Sequence, residues 1–197
     1  NLAIIAIPCG LIGARLYYVI FNWSYYSGNI SEILNFRGGG MAIHGGLLGG
    51  VLAGYIYTKV KKLNFFKMAD CVVLGIPLAQ AIGRWGNYLN KEAHGGPTDL
   101  PWGIMVDGVK VHPTFLYESI WDLGVFIFLM LFRKKQKYEG QILVYYITLY
   151  SIGRFFIEGL RTDSLMLGPL RMAQVISLGF ILIGVILNYV LSKKNKR

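Results

Sequence analysis

Six apolar runs, each about as long as a lipid bilayer is thick, constrain this chain more than any other feature. They cover residues 1–21, 41–60, 68–89, 114–132, 141–160 and 172–192. A bilayer-spanning helix needs about 20 mostly apolar residues. Lipid offers backbone amides no partner, so such runs close their hydrogen bonds within helices or in a closed barrel. Strand patterns are weak here. The runs therefore predict an all-α fold, a polytopic transmembrane helix bundle with six spans. Little chain remains for a soluble domain, so residues 1–197 are expected to form a single membrane-embedded domain. Composition agrees, with 54% hydrophobic and only 15% charged residues, against about 25% charged in soluble domains.

The net charge of +10 would suit a nucleic-acid partner, but its distribution argues for none. Twelve of the twenty basic residues fall in three clusters: Lys59, Lys61, Lys62, Lys67; Arg133, Lys134, Lys135, Lys137; and Lys193, Lys194, Lys196, Arg197. Each abuts an apolar run, and they occupy alternate loops, the positive-inside pattern. The loops at 59–67 and 133–140 and the C-terminus are thus expected in the cytoplasm. The loops at 22–40, 90–113 and 161–171 are expected outside. Residue 1 then starts inside. It is Asn, and the first run lacks the basic start and small-residue cleavage site of a signal peptide. One missing upstream helix, and seven spans in the complete protein, is the expectation.

The outward loops "NWSYYSGNISEILNF" and "KEAHGGPTDLPWGIMVDGVKVH" are the longer ones and predict a small extracytoplasmic cap. "VDGV" carries Asp-Gly, a two-residue hairpin turn. Trp23, Trp85, Trp102 and Trp121 suit interfacial belts or pocket walls. Cys9 and Cys71 lie in apolar runs without ligand spacing and read as small apolar fillers. In "GGGMAIHGGLLGGVLAG" (38–54), Gly50 and Gly54 predict a helix–helix contact face. Nearer His44, the glycines are expected to leave room for a ligand as well.

A charge inside a bilayer costs at least ~2.5 kcal/mol and is a functional hypothesis by default. Arg15, His44, Arg84, Glu118, Asp122, Arg154 and Glu158 qualify, and several lie near the outward ends of their helices. Tyr150, Arg154 and Glu158 are spaced by four and share one helix face. Two readings stay open there: a self-contained Arg–Glu pair, or an anion site whose guanidinium Glu158 holds. A planar guanidinium fits a phosphate with two parallel hydrogen bonds, and Arg84 at similar depth would add a second. His44 is the best proton acceptor, since imidazole is the side chain that ordinarily titrates near neutrality. Its alternative is an interfacial structural histidine. His94 reads as an exposed loop residue. His112, before Pro113, reads as part of a helix start. Three histidines near carboxylates raise the question of a metal, but no ligand spacing occurs and no metal site is expected. No G-x-S-x-G elbow is present.

"MAIHGGLLGG" (41–50), "GRWGNYLNKEAHG" (83–95), "HPTFLYE" (112–118) and "GRFFIEGLRTDSL" (153–165) together resemble the prolipoprotein diacylglyceryl transferases of bacterial inner membranes. The second matches that family's signature G-R-x-G-N-[FY]-x-N-x-E-x-x-G, and the resemblance covers essentially the whole chain. It implies transfer of the diacylglyceryl group of phosphatidylglycerol to the thiol of the lipobox cysteine in a prolipoprotein signal peptide. A thioether forms and glycerol phosphate is released, the first step of lipoprotein maturation. It implies Arg84 as the phosphatidylglycerol-binding arginine, with Asn87, Glu92 and Gly95 at the other signature positions. It also implies functional importance for His44, Tyr150, Arg154 and Glu158. The expected partners are phosphatidylglycerol, the prolipoprotein and membrane lipid. No cofactor is expected, because the transferred group is already activated in the lipid. The expected location is the bacterial inner membrane, with a cytoplasmic C-terminus and the active site toward the outer face. Two departures stand out: the family's additional N-terminal helix is expected upstream of residue 1, and Phe115 stands where many relatives carry Gln.

In the implied chemistry the thiol proton needs an acceptor; His44 can serve as that general base, and Tyr150 or another group stays open as the alternative. Arg84 and Arg154 stabilise the departing phosphate, Glu92 and Glu158 orient the arginines, and Asn87 donates to the headgroup. A transporter or flippase is the competing reading, and it predicts broken helices in paired halves. A non-catalytic membrane scaffold is a third.

Overall fold

A computed structural model describes residues 2–194; Asn1 of the first run and Lys196 and Arg197 of the last basic cluster lie outside the described residues. All six apolar runs are helical. In chain order the elements are α1 (Leu2–Phe21), the short α2 (Trp23–Tyr26) and α3 (Ile30–Ile33), α4 (Ile43–Val60), α5 (Phe65–Val73), α6 (Ile76–Leu89), β1 (Ile104–Val106), β2 (Val109–Val111), α7 (Thr114–Phe132), α8 (Gln141–Glu158), β3 (Met166–Leu167), β4 (Leu170–Arg171) and α9 (Met172–Lys194).

By length and composition three helical segments can cross a membrane: Leu2–Phe21, Thr114–Lys135 and Met172–Lys194. The pair α5 and α6 makes a fourth if it counts as one span. Helices α4 and α8, at 18 residues each, are about 27 Å long, but their apolar content is diluted. Glycines dilute α4, and Gln141, Arg154 and Glu158 dilute α8.

The run at 68–89 is not one straight helix. It breaks after Val73 and resumes at Ile76, with a bend of 41°. Pro77 sits in the first turn of α6. It has no N–H to give the carbonyl four residues back, and its ring crowds that carbonyl, so the helix restarts there.

The chain divides into two compact units, one up to Met68 and one from Ala69 onward. In the first, α1 packs on α4 through glycine. A Cβ on Gly49 would lie 2.5 Å from the Cys9 carbonyl oxygen, and one on Gly13 would lie 3.1 Å from the Gly49 Cα. A Cβ on Gly10 would meet the Gly46 carbonyl oxygen at 3.3 Å. The contact face thus falls on Gly45, Gly46 and Gly49, where the α1 glycines lie opposite, and includes Gly50, whose added Cβ would lie 3.9 Å from the Ala6 carbonyl oxygen. It does not fall on Gly54, whose missing Cβ would touch nothing within 4 Å. Buried Arg15 gives its guanidinium to four backbone carbonyls, those of Ile33, Gly39, Gly40 and Glu32. It also lies over the Tyr26 ring at 5.1 Å. Arg15 is therefore the clasp of the 22–40 loop.

In the second unit, Val73, Val125, Leu129 and Ile142 form the core where α5, α7 and α8 meet. Buried Asp70 accepts hydrogen bonds from the N–H groups of Gly140 (2.6 Å) and Leu143 (2.8 Å), and from the Gln136 amide (2.5 Å). A carboxylate on α5 thus caps the first turn of α8, whose N-terminal amides lack partners within the helix. The Asp-Gly turn joins β1 to β2 as expected, with positive φ at Asp107 (48°) and Gly108 (83°), the I′ signature. A second hairpin, β3–β4, had no sequence signal strong enough to announce it. Helix α7 begins at Thr114 with Pro113 as its cap residue, one position later than "HPT" suggested.

The loops of this unit meet at Gly95. Its N–H donates to the His112 carbonyl (2.9 Å), and the Gly96 N–H donates to the Leu160 carbonyl (3.1 Å). A Cβ on Gly95 would lie 2.6 Å from the His112 Cβ. Only glycine fits where these backbones cross.

Candidate active site

Three helices of the second unit bring their charged residues together. Helix α6 carries Arg84 in its penultimate turn. Helix α7 carries Glu118 and, one turn on, Asp122. Helix α8 carries Tyr150, Arg154 and Glu158 at four-residue spacing on one face. Arg84, Glu118, Asp122, Tyr150 and Arg154 line one small pocket with Trp121, Gly153 and Ile157.

Glu118 is the centre of this cluster. One carboxylate oxygen lies 2.8 Å from Arg84 Nε, and the other pairs with Arg154 Nη1. The second nitrogen of Arg154, Nη2, lies 2.7 Å from Glu158 Oε2. That approach is a charge contact without hydrogen-bond alignment, since Glu158 Oε2 has no hydrogen-bond partner. The other Glu158 oxygen accepts from Ser164 Oγ at 2.5 Å. Arg84 also reaches the Tyr150 hydroxyl, donating through Nη2 at 3.4 Å. The Glu118 side chain is 6% exposed, and those of Arg84 and Arg154 are 19% and 20% exposed. The arginines are therefore the accessible part and the carboxylates the buried support.

The packing that sets these positions follows from the sequence. Gly153 lies directly against the Trp121 indole, which leaves no room for a side chain there. That indole donates to the Leu149 carbonyl at 2.9 Å, fixing the register of α7 on α8. Ser119 Oγ donates to the Ala81 carbonyl at 2.8 Å, fixing α7 on α6. Phe115 stacks on Tyr88 (4.8 Å between centroids) and meets Trp85 edge-on (5.4 Å). It thus acts as an apolar anchor where a polar residue was the family expectation.

The signature stretch divides in two. Arg84 joins the cluster. Asn87 and Asn90 instead turn to Glu92, each donating to Oε1 at 3.1 Å. Asn87 and Glu92 line a second cavity of about 250 Å³ with His94, Ile104, Met105 and Phe115. The expectation that Glu92 orients an arginine is not met; Glu118 does that work. Glu118 was visible in the sequence as an intramembrane charge ending "HPTFLYE", but nothing in its spacing revealed that it faces both arginines. Gly95 is accounted for by the backbone crossing. His94 is half-buried rather than exposed, with Nδ1 3.1 Å from the Gly95 carbonyl oxygen. His112 is half-buried, its Nδ1 3.3 Å from the Tyr117 hydroxyl. His44 belongs to the first unit, in the first turn of α4, where its ring is exposed and lies 6.2 Å from that of Tyr17.

Beyond the end of α8, Arg161 grips Asp163 with two hydrogen bonds (3.0 and 2.8 Å). This grip holds the Asp163 carboxyl below its ordinary range. A groove of about 390 Å³ between α7, α8 and α9 is lined by Phe128, Phe132, Tyr145 and Val185, and its amide is Asn188. It is apolar and offers no charged group.

A guanidinium pair on buried carboxylates, in a helical chain with membrane-length segments, agrees with the comparison to known proteins. The family model for prolipoprotein diacylglyceryl transferase matches residues 1–190. The chain belongs to the prolipoprotein diacylglyceryl transferase family. It is 78% identical over 196 residues to the phosphatidylglycerol–prolipoprotein diacylglyceryl transferase of Clostridioides difficile, covering 100% of this chain and 79% of that protein. The transferases of the same name from Finegoldia magna and Clostridium novyi are each 55% identical. They cover 92% and 98% of this chain and 74% and 79% of their own lengths. Membership makes this chain an enzyme, a transferase of lipoprotein biosynthesis, and the membrane-length helices accord with a membrane protein of a bacterial family.

Proposed function

We infer that this chain transfers the diacylglyceryl group of phosphatidylglycerol to the lipobox cysteine of prolipoproteins. The observation that carries the reading is the Arg84–Glu118–Arg154 bridge, in a chain whose relatives are named for that lipid and that protein class. Two guanidinium groups fixed on one buried carboxylate keep outward-facing N–H donors for a phosphate.

The reaction joins the cysteine sulfur to the glycerol carbon and breaks that carbon's bond to the phosphate oxygen. The thiol proton passes to His44. The electron pair of the broken bond leaves with glycerol phosphate, whose growing charge Arg84 and Arg154 stabilise. Tyr150 steadies Arg84 through its hydroxyl, and Glu158 steadies Arg154. Asn87 and Glu92, with Gly95 shaping the loop beside them, form a polar rim that receives the headgroup.

In this reading the two units act as one transferase domain, and all six helical runs cross the bacterial inner membrane, α5 and α6 together as one bent span. The basic clusters place the 59–67 and 133–140 loops and the C-terminus in the cytoplasm. The arginine site then faces outward, beneath a cap made by the loop crossing at Gly95 and the two hairpins. Incubation of the full-length protein with phosphatidylglycerol and a lipobox peptide, followed by mass analysis, tests the reading. A diacylglyceryl thioether on the cysteine is expected, and its absence would overturn it. A transporter predicts paired helix breaks; among the described residues one bent pair passes the membrane-length test, α5 with α6.

A further inference from the structure

The charge count of the arginine cluster conflicts with the anion it is built to hold. Counted as formally ionised, Arg84 and Arg154 contribute two positive charges, and Glu118, Asp122 and Glu158 contribute three negative ones. Arg161 also lies 4.0 Å from Glu158, but it brings its own carboxylate partner, Asp163, so adding that pair leaves the balance one charge negative. A cluster that is net negative repels a phosphate, and the repulsion is stronger where water is scarce. One carboxyl must therefore give up its charge when the phosphate arrives.

The contacts single out which one. Glu118 touches both arginines and Glu158 touches Arg154, so both have cationic partners in direct contact. Asp122 is 2% exposed, and its Oδ2 is buried with no hydrogen-bond partner. The groups around it are Arg84 on α6, Glu118 one turn away on α7, and Tyr146, Tyr150 and Arg154 on α8. The Tyr146 hydroxyl is spent on Gln80, at 3.0 Å. A carboxylate oxygen buried without a donor is costly in a protein interior, and protonation lowers that cost.

We propose that Asp122 is a positioning residue that carries a proton whenever an anionic phospholipid headgroup occupies the Arg84–Arg154 site, so that headgroup capture and protonation of this carboxyl are coupled. The proton comes from solvent, no bond of the lipid changes in the step, and Asp122 acts on the phosphate only through the balance of charge. The inference rests on the phosphatidylglycerol reading above.

Infrared difference spectroscopy of the full-length protein in lipid nanodiscs, with and without phosphatidylglycerol, tests it. Wild type is expected to show a protonated-carboxyl stretch in the lipid-bound state. The stretch should shift when aspartate is carboxyl-labelled with carbon-13, and it should vanish in Asp122→Asn. The KM for phosphatidylglycerol in wild type should rise about tenfold per pH unit once Asp122 ionises, and this limb should be missing in the Asn variant. A wild-type spectrum without that stretch overturns the proposal without any variant. A stretch that does not respond to aspartate labelling, or that survives in Asp122→Asn, overturns the assignment. Thioether formation by the same wild-type preparation separates failure of this inference from failure of the functional reading.

Discussion

Glu118 on α7 holds Arg84 on α6 at 2.8 Å, and neither residue lies near the other in the sequence. The carboxylate is also the partner of Arg154, so it decides where two cations of the site point.

Replacing Glu118 with Gln should therefore cost more than either arginine pairing alone. Breaking a buried ion pair leaves uncompensated charge and destabilises by about 3 kcal/mol. Thermal unfolding in detergent should move down, and diacylglyceryl transfer should fall by about a hundredfold, of the order of losing a preorganised charge-stabilising group. Wild-type turnover of Glu118→Gln would remove the bridge from the mechanism.

Arg154→Lys tests the fork rather than the charge. Arg154 touches Glu118 and Glu158 through two different nitrogens, and a single ammonium does not reproduce that. We expect kcat/KM for phosphatidylglycerol to drop at least about tenfold with the fold intact by circular dichroism. Unchanged kinetics would show that positive charge alone suffices.

His44→Gln should lower kcat by about a hundredfold, the scale of a lost general base, with a smaller effect on the KM for lipid. Mass analysis of thioether formation with saturating peptide reads this. An unaltered kcat would assign the thiol proton to another group.

Asp70→Ala removes three hydrogen bonds, two of them to amides at the start of α8. A lost helix cap costs about 1–2 kcal/mol. The unfolding temperature should fall, and hydrogen exchange at Gly140 and Leu143 should rise first. Protection equal to wild type at those amides would refute the capping role.

Acid should loosen the segment after α8. The folded-state titration of Asp163 is depressed by Arg161, so its contribution is present above the ordinary carboxyl value of 3.8 and lost as pH falls through its lower folded value. The Asp163 side chain is 49% exposed, so the effect is small. Over 161–171, hydrogen exchange relative to its intrinsic rate at each pH should be flat from neutrality down to the ordinary value and should rise only below it. A rise at higher pH would point to a different tether.

The helices, the Asp-Gly hairpin and the Tyr150–Arg154–Glu158 face were legible because each depends on local spacing. Hydrophobic length, turn chemistry and helical period are read within a few residues. What was not legible depends on which helix faces which. Glu118 and Asp122 lie on the same helix, yet one is the hub of the ion pairs and the other has an oxygen without a partner. The spacing of four that relates them does not separate those fates. Asp70 was hidden the same way, since its partners lie about seventy residues downstream. The break at Gly75 follows from Pro77, but an apolar count alone carries straight across it. The glycine face on α4 includes Gly50 as expected, but it runs back to Gly45, Gly46 and Gly49 rather than on to Gly54, because its position is set by Gly10 and Gly13 of another helix.

The Arg15 clasp has a bearing on how the chain enters its membrane. Its partner carbonyls lie seventeen to twenty-five residues downstream. An insertion machine working from the N-terminus meets the cation before the groups that answer it exist. Helix α1 is then a poor lodger in lipid until the 32–40 segment has emerged. Biogenesis of this half should depend on translation running ahead of release: a ribosome stalled after α1 should leave that helix sensitive to extraction, and one stalled beyond Gly40 should not.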